Sequence, residues 1–209
     1  MGKRIIALLT DMDEPLGNMV GNFLEVEECL DCLEGNGPAD LMEVTLELAA
    51  RMVVLAGKAK DAAAGRRLCE EALASGKPRK LFLDNVRSQG GDPDKLLALR
   101  GTYRSPHVAE VAAAQSGYLA RIDAWKVGIA GVSLGVGRNR TEDAVSPVAG
   151  VRFRKKGGEA VALGETVMTV WAKDAASLET ALPLLRGSLE YSDTPRKPRK
   201  LVLKEIASK

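Results

Sequence analysis

Residues able to do chemistry are few in this chain of 209, and they are scattered. Cys29 and Cys32 form a single C-x-x-C, with no second pair, and the sole histidine, His107, lies far downstream. A structural zinc site needs about four such ligands, and a thioredoxin-type redox pair needs a strand in front of it. Neither condition is met: Phe23, Val26, Leu30 and Leu33 recur at helical spacing around the two thiols, which makes them helix side chains. His107 alone gives no basis for Ser-His-Asp or Cys-His catalysis. Gly135-Val136-Gly137-Arg138-Asn139-Arg140 has the chemistry of a phosphate loop, since glycines let backbone N–H groups approach an anion and arginines add charge. It follows a helix instead of opening one, and it lacks the rest of a dinucleotide or P-loop fingerprint. Thr10-Asp11-Met12-Asp13-Glu14 puts three carboxylates at the end of an apolar run, where open α/β sheets place ligands. Acidic loops are more usually solvated or cap helices. The proline-broken run Arg196-Lys197-Pro198-Arg199-Lys200 reads as a solvated connector that contributes no site.

The bulk composition excludes several classes of function. Thirty Lys and Arg against 28 Asp and Glu leave a net charge of +2, so no broad nucleic-acid face is indicated. Aromatic residues make up 4%, too few for a base-stacking platform or a ring-walled sugar cleft. No apolar run is long enough to cross a bilayer, and Met1-Gly2-Lys3-Arg4 leads into no signal peptide. A cytoplasmic address, without a membrane or nucleic-acid partner, follows by default.

These residues must be positioned by a mixed α/β framework. Ile5 to Thr10 reads as a buried, parallel-type strand running into a loop. A helix from about residue 22 to 34 stops at Gly35-Asn36-Gly37, and a second opens at Pro38-Ala39-Asp40 with Asp40 and Glu43 as a capping box. Leu41, Val44, Leu48, Met52 and Leu55 form its core face. Further helices span about 61–74 and 80–88. The first strand has no ladder partner in its own segment, so further strands are expected before residue 1. Residues 91–106 read as a linker. Beyond it, strands at 108–114 and 117–122 and a helix capped by Asp123 lead into strands within 148–156 and 160–170. In that helix Gly128 and Gly131 are expected to allow close backbone packing. A helix at 175–187 and a last strand at 201–206 complete an α+β domain.

The run Thr10 to Gly17, continuing through Val20-Gly21-Asn22-Phe23-Leu24-Glu25-Val26-Glu27-Glu28 and Gly35-Asn36-Gly37-Pro38-Ala39-Asp40-Leu41, closely resembles the thymidine and pyrimidine-nucleoside phosphorylases. Gln89-Gly90-Gly91-Asp92-Pro93, Gly117-Tyr118-Leu119, Ile122-Asp123-Ala124, Leu134 to Arg138, Lys155-Lys156-Gly157-Gly158 and Gly164-Glu165 look like later landmarks of that family, in family order. The resemblance covers the carboxyl-terminal half of the family chain. It implies that residues 1–90 end the family's α/β domain and that residues 107–209 form its carboxyl-terminal α+β domain. The segment from Lys155 to Val170 is also similar to biotinyl and lipoyl carrier domains in its hairpin spacing, without an exposed carrier lysine.

What the resemblance implies about function is specific. The family reaction is reversible phosphorolysis, in which phosphate attacks the anomeric carbon of thymidine or uridine and expels the base. The family's phosphate and base contacts sit on a Lys-Ser glycine-rich loop and an Arg, Ser and Lys set, all upstream of the Thr-Asp-Met motif and so outside this chain. No catalytic residue is therefore assigned here. A monovalent cation site is the one element carried over: two backbone carbonyls map to Leu16 and Met19 and a carboxylate to Glu28, with potassium as the expected ion. The implied partners are a separate amino-terminal phosphorylase half and, in the complete enzyme, phosphate and a pyrimidine nucleoside. Split enzyme and gene fragment both fit, as does a non-catalytic binding or scaffold module, and a homodimer is left open.

Overall fold

In the computed structural model, which describes residues 4–207, nine strands and seven helices follow one another. In chain order they are β1 (Ile6–Thr10), β2 (Met19–Val20), α1 (Asn22–Leu33), α2 (Ala39–Leu55), α3 (Ala62–Ala74), α4 (Lys77–Ser88), α5 (Pro93–Ala98), β3 (His107–Ala112), β4 (Gly117–Ile122), α6 (Ala124–Leu134), β5 (Gly150–Phe153), β6 (Ala160–Val161), β7 (Thr166–Ala172), α7 (Ala175–Arg186), β8 (Leu189–Ser192) and β9 (Val202–Ala207). The chain is mixed α/β, with every strand pair antiparallel. Two compact units result. One takes residues up to 11, 29–98 and from 199 onward, and the other takes residues 12–28 and 99–198. This division departs from the consecutive order 1–90, 91–106 and 107–209, and the expected linker carries α5.

In the first unit the expected lone, parallel-type strand has a partner after all. β1 pairs antiparallel with β9, Ile6 opposite Ala207 and Leu8 opposite Glu205. The last strand, assigned from sequence to the carboxyl-terminal domain, therefore belongs here. The cause is visible in burial that alternates along β1, half-buried at Ile6 and Leu8 and exposed at Ala7 and Leu9, the signature of a sheet covered on one face. The capping box of α2 does not form. Pro38 is the N-cap, the Asp40 carboxylate accepts from the adjacent Leu41 N–H at 2.9 Å, and Glu43 reaches Arg66 instead. Nor is the apolar stripe of α2 all core: Val44 is buried, whereas Leu48 and Met52 are 45% and 69% exposed. Arg66 on α3 ties the two helices together through Glu43 and Glu47, at 2.7 and 2.8 Å. Asp61 caps α3 by accepting from the Ala64 N–H at 2.8 Å.

The second unit carries a closed core. A four-stranded sheet in the order β2-β5-β7-β3 and a three-stranded sheet in the order β6-β4-β8 are joined by α6 and α7. Val111, Leu119, Ile122, Leu134, Val151, Val167, Met168, Val170 and Leu185 are almost fully buried together. Each such side chain stabilises the fold by roughly 1.5–3 kcal/mol relative to exposure. Asp123 and Asp174 cap α6 and α7, accepting from the Lys126 and Ser177 N–H groups at 3.1 and 2.7 Å. These bonds, Lys126 and Ser177 respectively being the leading causes, hold both carboxyls below their ordinary values. The expected close packing is found at neither glycine of α6: Gly128 faces open space, and a Cβ on the buried Gly131 would meet only Val136 Cβ at 4.0 Å. β2 and β8 escaped the sequence reading because runs of two and four residues carry too little periodicity.

Candidate functional site

The segment from Met12 to Glu28 is a turn, a short strand and the start of a helix, held on all sides by the second unit. Gly17 turns the chain with φ 72°, a conformation open to glycine at little cost. Lys156 Nζ donates to the Pro15 carbonyl at 2.6 Å and also to the Gly17 carbonyl, while standing 5.6 Å from the Phe153 ring centroid. The Phe153 N–H donates to the Asn18 carbonyl at 2.8 Å, and β2 then pairs with β5, Met19 opposite Arg152. Close approach at this crossing needs glycine: a Cβ on Gly21, at φ 144°, would stand 2.5 Å from the Ala149 carbonyl oxygen.

Three acidic residues of the segment are tied down in different ways. Glu14 makes a two-pronged pair with Arg196, one prong at 2.9 Å, and Arg196 also donates to the Gly157 and Ala120 carbonyls at 2.7 and 3.2 Å. Glu27, nearly buried, pairs with Arg104 and accepts the Gly101 N–H at 2.6 Å. The Arg104 guanidinium in turn lies 5.4 Å from the Trp171 ring centroid. Glu28, 4% exposed, accepts the Asn18 N–H at 2.7 Å.

The residues assigned from sequence to a cation site fall within this one segment. Leu16 is in the turn, Met19 opens β2, and the Glu28 carboxylate is bonded to the backbone of Asn18, between them. A carboxylate is a hard-oxygen donor, of the class that suits an alkali or alkaline-earth ion and not a thiophilic metal. The binding of an ammonium by Pro15 and Gly17 is an observation of the same kind, because it identifies the turn as one whose carbonyls collect positive charge. Among the described residues no group of three or more His, Cys, Asp or Glu could hold a metal by side chains alone.

Lys156 and Arg196 were missed from sequence as structural partners of this segment. Lys156 stood within a quoted landmark, but nothing in its spacing says that it reaches back to Pro15. Arg196 and Arg199, read as part of a solvated connector, are instead ion-paired, Arg196 with Glu14 and, within the first unit, Arg199 with Asp11 through Nε at 2.7 Å. Two of the three carboxylates at the end of the first apolar run are thus neutralised. The glycine loop is likewise committed elsewhere. Gly135 ends α6 in the left-handed region, its N–H and that of Val136 return to the Val132 and Gly131 carbonyls, and the Asn139 and Arg140 N–H groups are taken by the Asp143 carboxylate. Four of the loop's backbone donors, those of Gly135, Val136, Asn139 and Arg140, are thereby taken. Cys29 and Cys32 lie on α1 and form no disulfide, burial pushing the Cys29 thiol up, and the His107 N–H donates to Ser105 Oγ at 3.1 Å.

Residues 118–192 match the model of the pyrimidine nucleoside phosphorylase C-terminal domain, and residues 1–79 match that of the glycosyl transferase family a/b domain. A pyrimidine-nucleoside phosphorylase of Bacillus subtilis (strain 168) is 37% identical over 172 residues, covering 82% of this chain and 40% of its own. One from Geobacillus stearothermophilus is 32% identical over 207 residues, covering 99% of this chain and 48% of its own. One from Staphylococcus aureus (strain USA300) is 36% identical over 193 residues, covering 92% and 44%. The chain thus spans less than half the length of these relatives. With both segments matched in order and relatives aligned across nearly all of it, the chain belongs to the pyrimidine-nucleoside phosphorylase family.

Proposed function

We propose that this chain acts as the carboxyl-terminal portion of a pyrimidine-nucleoside phosphorylase of the cytoplasm, joined in function to a separate amino-terminal phosphorylase half. The observation that carries this reading is the ordered match of residues 1–79 and 118–192 to two domains of that family, together with relatives named for the activity. In the reaction a phosphate oxygen bonds to the anomeric carbon of thymidine or uridine as the carbon–nitrogen bond breaks. The base leaves with the electron pair and takes up a proton, and (deoxy)ribose 1-phosphate remains. The groups that hold phosphate and base come from the amino-terminal half. This chain's contribution is positional: Lys156, Phe153 and Arg196 fix the turn from Glu14 to Asn18. A potassium ion held by the Leu16 and Met19 carbonyls and by Glu28 would supply a fixed positive charge beside the phosphate-binding loop. In the same reading the strands from residue 150 to 172 form a carrier-domain-like sandwich that carries no loaded lysine.

The test is thymidine and uridine phosphorolysis, followed by ultraviolet absorbance, with this chain alone and after co-expression with the upstream portion of the Geobacillus stearothermophilus enzyme. No turnover alone and turnover of the pair in potassium chloride, reduced in choline chloride, is the expected result. Strong turnover by the chain alone overturns the assignment of the catalytic groups to the partner. A silent pair favours the non-catalytic scaffold reading.

A further inference from the structure

Asn36 and Gly37 follow the last turn of α1 and precede Pro38, the N-cap of α2. The helix closes on two backbone bonds, from the Gly35 N–H to the Cys32 carbonyl at 3.1 Å and from the Asn36 N–H to the Asp31 carbonyl at 2.8 Å, with Gly35 at φ 84°. This paired closure uses the Asn36 N–H and leaves its side chain and the next peptide outside the helix. Asn36 is exposed, and among the described residues neither its carboxamide nor the Gly37 N–H makes a hydrogen bond. Packing requires glycine at position 37, since a Cβ there would stand 2.5 Å from Cys32 Sγ and 2.9 Å from Cys32 Cα. Asparagine is among the thermolabile residues, and a following glycine obstructs attack on its side chain least and has the widest backbone freedom.

The other asparagines are held back. Asn22 Nδ2 donates to the Val136 and Ser146 carbonyls, each at 3.1 Å, and the N–H that follows, on Phe23, donates to the Pro147 carbonyl. Asn139 is followed by the Arg140 N–H, which the Asp143 carboxylate takes at 2.9 Å. Asn85 lies inside α4 with its Oδ1 accepting from Gln89 Nε2 at 2.9 Å, and Asn18 runs into β2. We propose that Asn36 is a site of spontaneous deamidation. The Gly37 nitrogen bonds to Asn36 Cγ, the carboxamide nitrogen leaves as ammonia with the proton from Gly37, and a succinimide ring closes. Water then opens the ring: addition at Cγ gives aspartate, and addition at the main-chain carbonyl carbon gives isoaspartate, whose chain runs through the former side chain. Either product adds a carboxylate at the carboxyl end of α1, where the helix dipole disfavours negative charge. Isoaspartate also lengthens the main chain where Gly37 is pressed against Cys32, and so loosens the start of α2. The nucleophile, the carboxamide and the leaving group all belong to this turn, so the reaction is independent of the activity proposed above.

The experiment ages the full 209-residue chain in its folded state at mildly alkaline pH and digests it with trypsin. Products at each asparagine are read by fragmentation mass spectrometry, and isoaspartate is counted by methyl transfer from S-adenosylmethionine with an isoaspartate methyltransferase. Conversion at Asn36 is expected to exceed that at Asn18, Asn22, Asn85 and Asn139 together at least tenfold. Asn36→Gln, whose longer side chain closes a ring more slowly, should accept at least tenfold less methyl. Hydrogen–deuterium exchange should be faster in the aged chain than in the fresh one at residues 39–42, the first turn of α2. An intact carboxamide at Asn36 in the folded chain, while the guanidinium-unfolded chain deamidates there, overturns the proposal, because the fold then protects the pair. Conversion spread over the other asparagines, or methyl acceptance unaltered in Asn36→Gln, overturns it as well. Unchanged exchange in a chain that carries isoaspartate overturns the loosening of α2.

Discussion

Lys156 makes two charge-assisted bonds to main-chain carbonyls while its stem lies against Phe153. Lys156→Met keeps an apolar stem and deletes both bonds. The second unit should lose about 2 kcal/mol in guanidinium unfolding, because hydrogen bonds to charged groups are individually worth roughly 1.5–3. Hydrogen exchange should quicken at the Asn18 amide, the group that Glu28 holds. An unchanged Asn18 amide would mean that the turn is held by β2 and Glu28 alone. Of this arrangement the sequence showed the carboxylate and the turn but not the lysine, since Pro15 and Lys156 are 141 positions apart. Arg196 and Glu14 were hidden for the same reason, at a separation of 182. Charge runs announce solvent as readily as partners, and only the folded chain distinguishes them.

At the scale of elements, α2 and α3 are joined by charge as well as by close packing of Gly65 against Ala50. Arg66 contacts Glu43, Glu47 and Glu70, while Arg51 contacts Glu47 and Glu205. Partial burial raises the Glu47 carboxyl, but the hydrogen bonds from Arg66 and then Arg51 outweigh it and leave the group below its ordinary 4.5. A depressed carboxyl contributes stability that is present above its unfolded value and lost as pH falls through its folded one. Melting of the first unit should therefore weaken below about pH 4.5, and Glu47→Gln should flatten that dependence while leaving α6 and α7 unaffected. A slope unaltered by the substitution would assign the acid sensitivity to other carboxylates. Helix limits at this scale were legible: the stops at Gly35 and Gly135 and the Asp123 cap stand where turn chemistry puts them. The partner of β1 was not, because strand pairing is fixed by a register with residues that local periodicity cannot see.

The molecule as a whole divides its apolar burial unevenly. The contiguous buried cluster lies in the second unit, whereas the first leaves Leu48, Met52, Leu81 and Ile206 substantially exposed. Guanidinium unfolding of the isolated chain should accordingly proceed in two transitions, with the first unit's amides exchanging before those of β5 and β7. A single transition, with exchange uniform across both units, would contradict this. The family was readable from contiguous motifs, yet the units are not contiguous: the chain changes unit between residues 11 and 12, 28 and 29, 98 and 99, and 198 and 199. That threading bears on inheritance. A single genetic crossover between two related genes would pair the Met12 to Glu28 segment of one parent with the Arg104, Lys156 and Arg196 of the other. Such chimaeras survive only where both parents share these contacts, so the turn and its distant anchors should descend together.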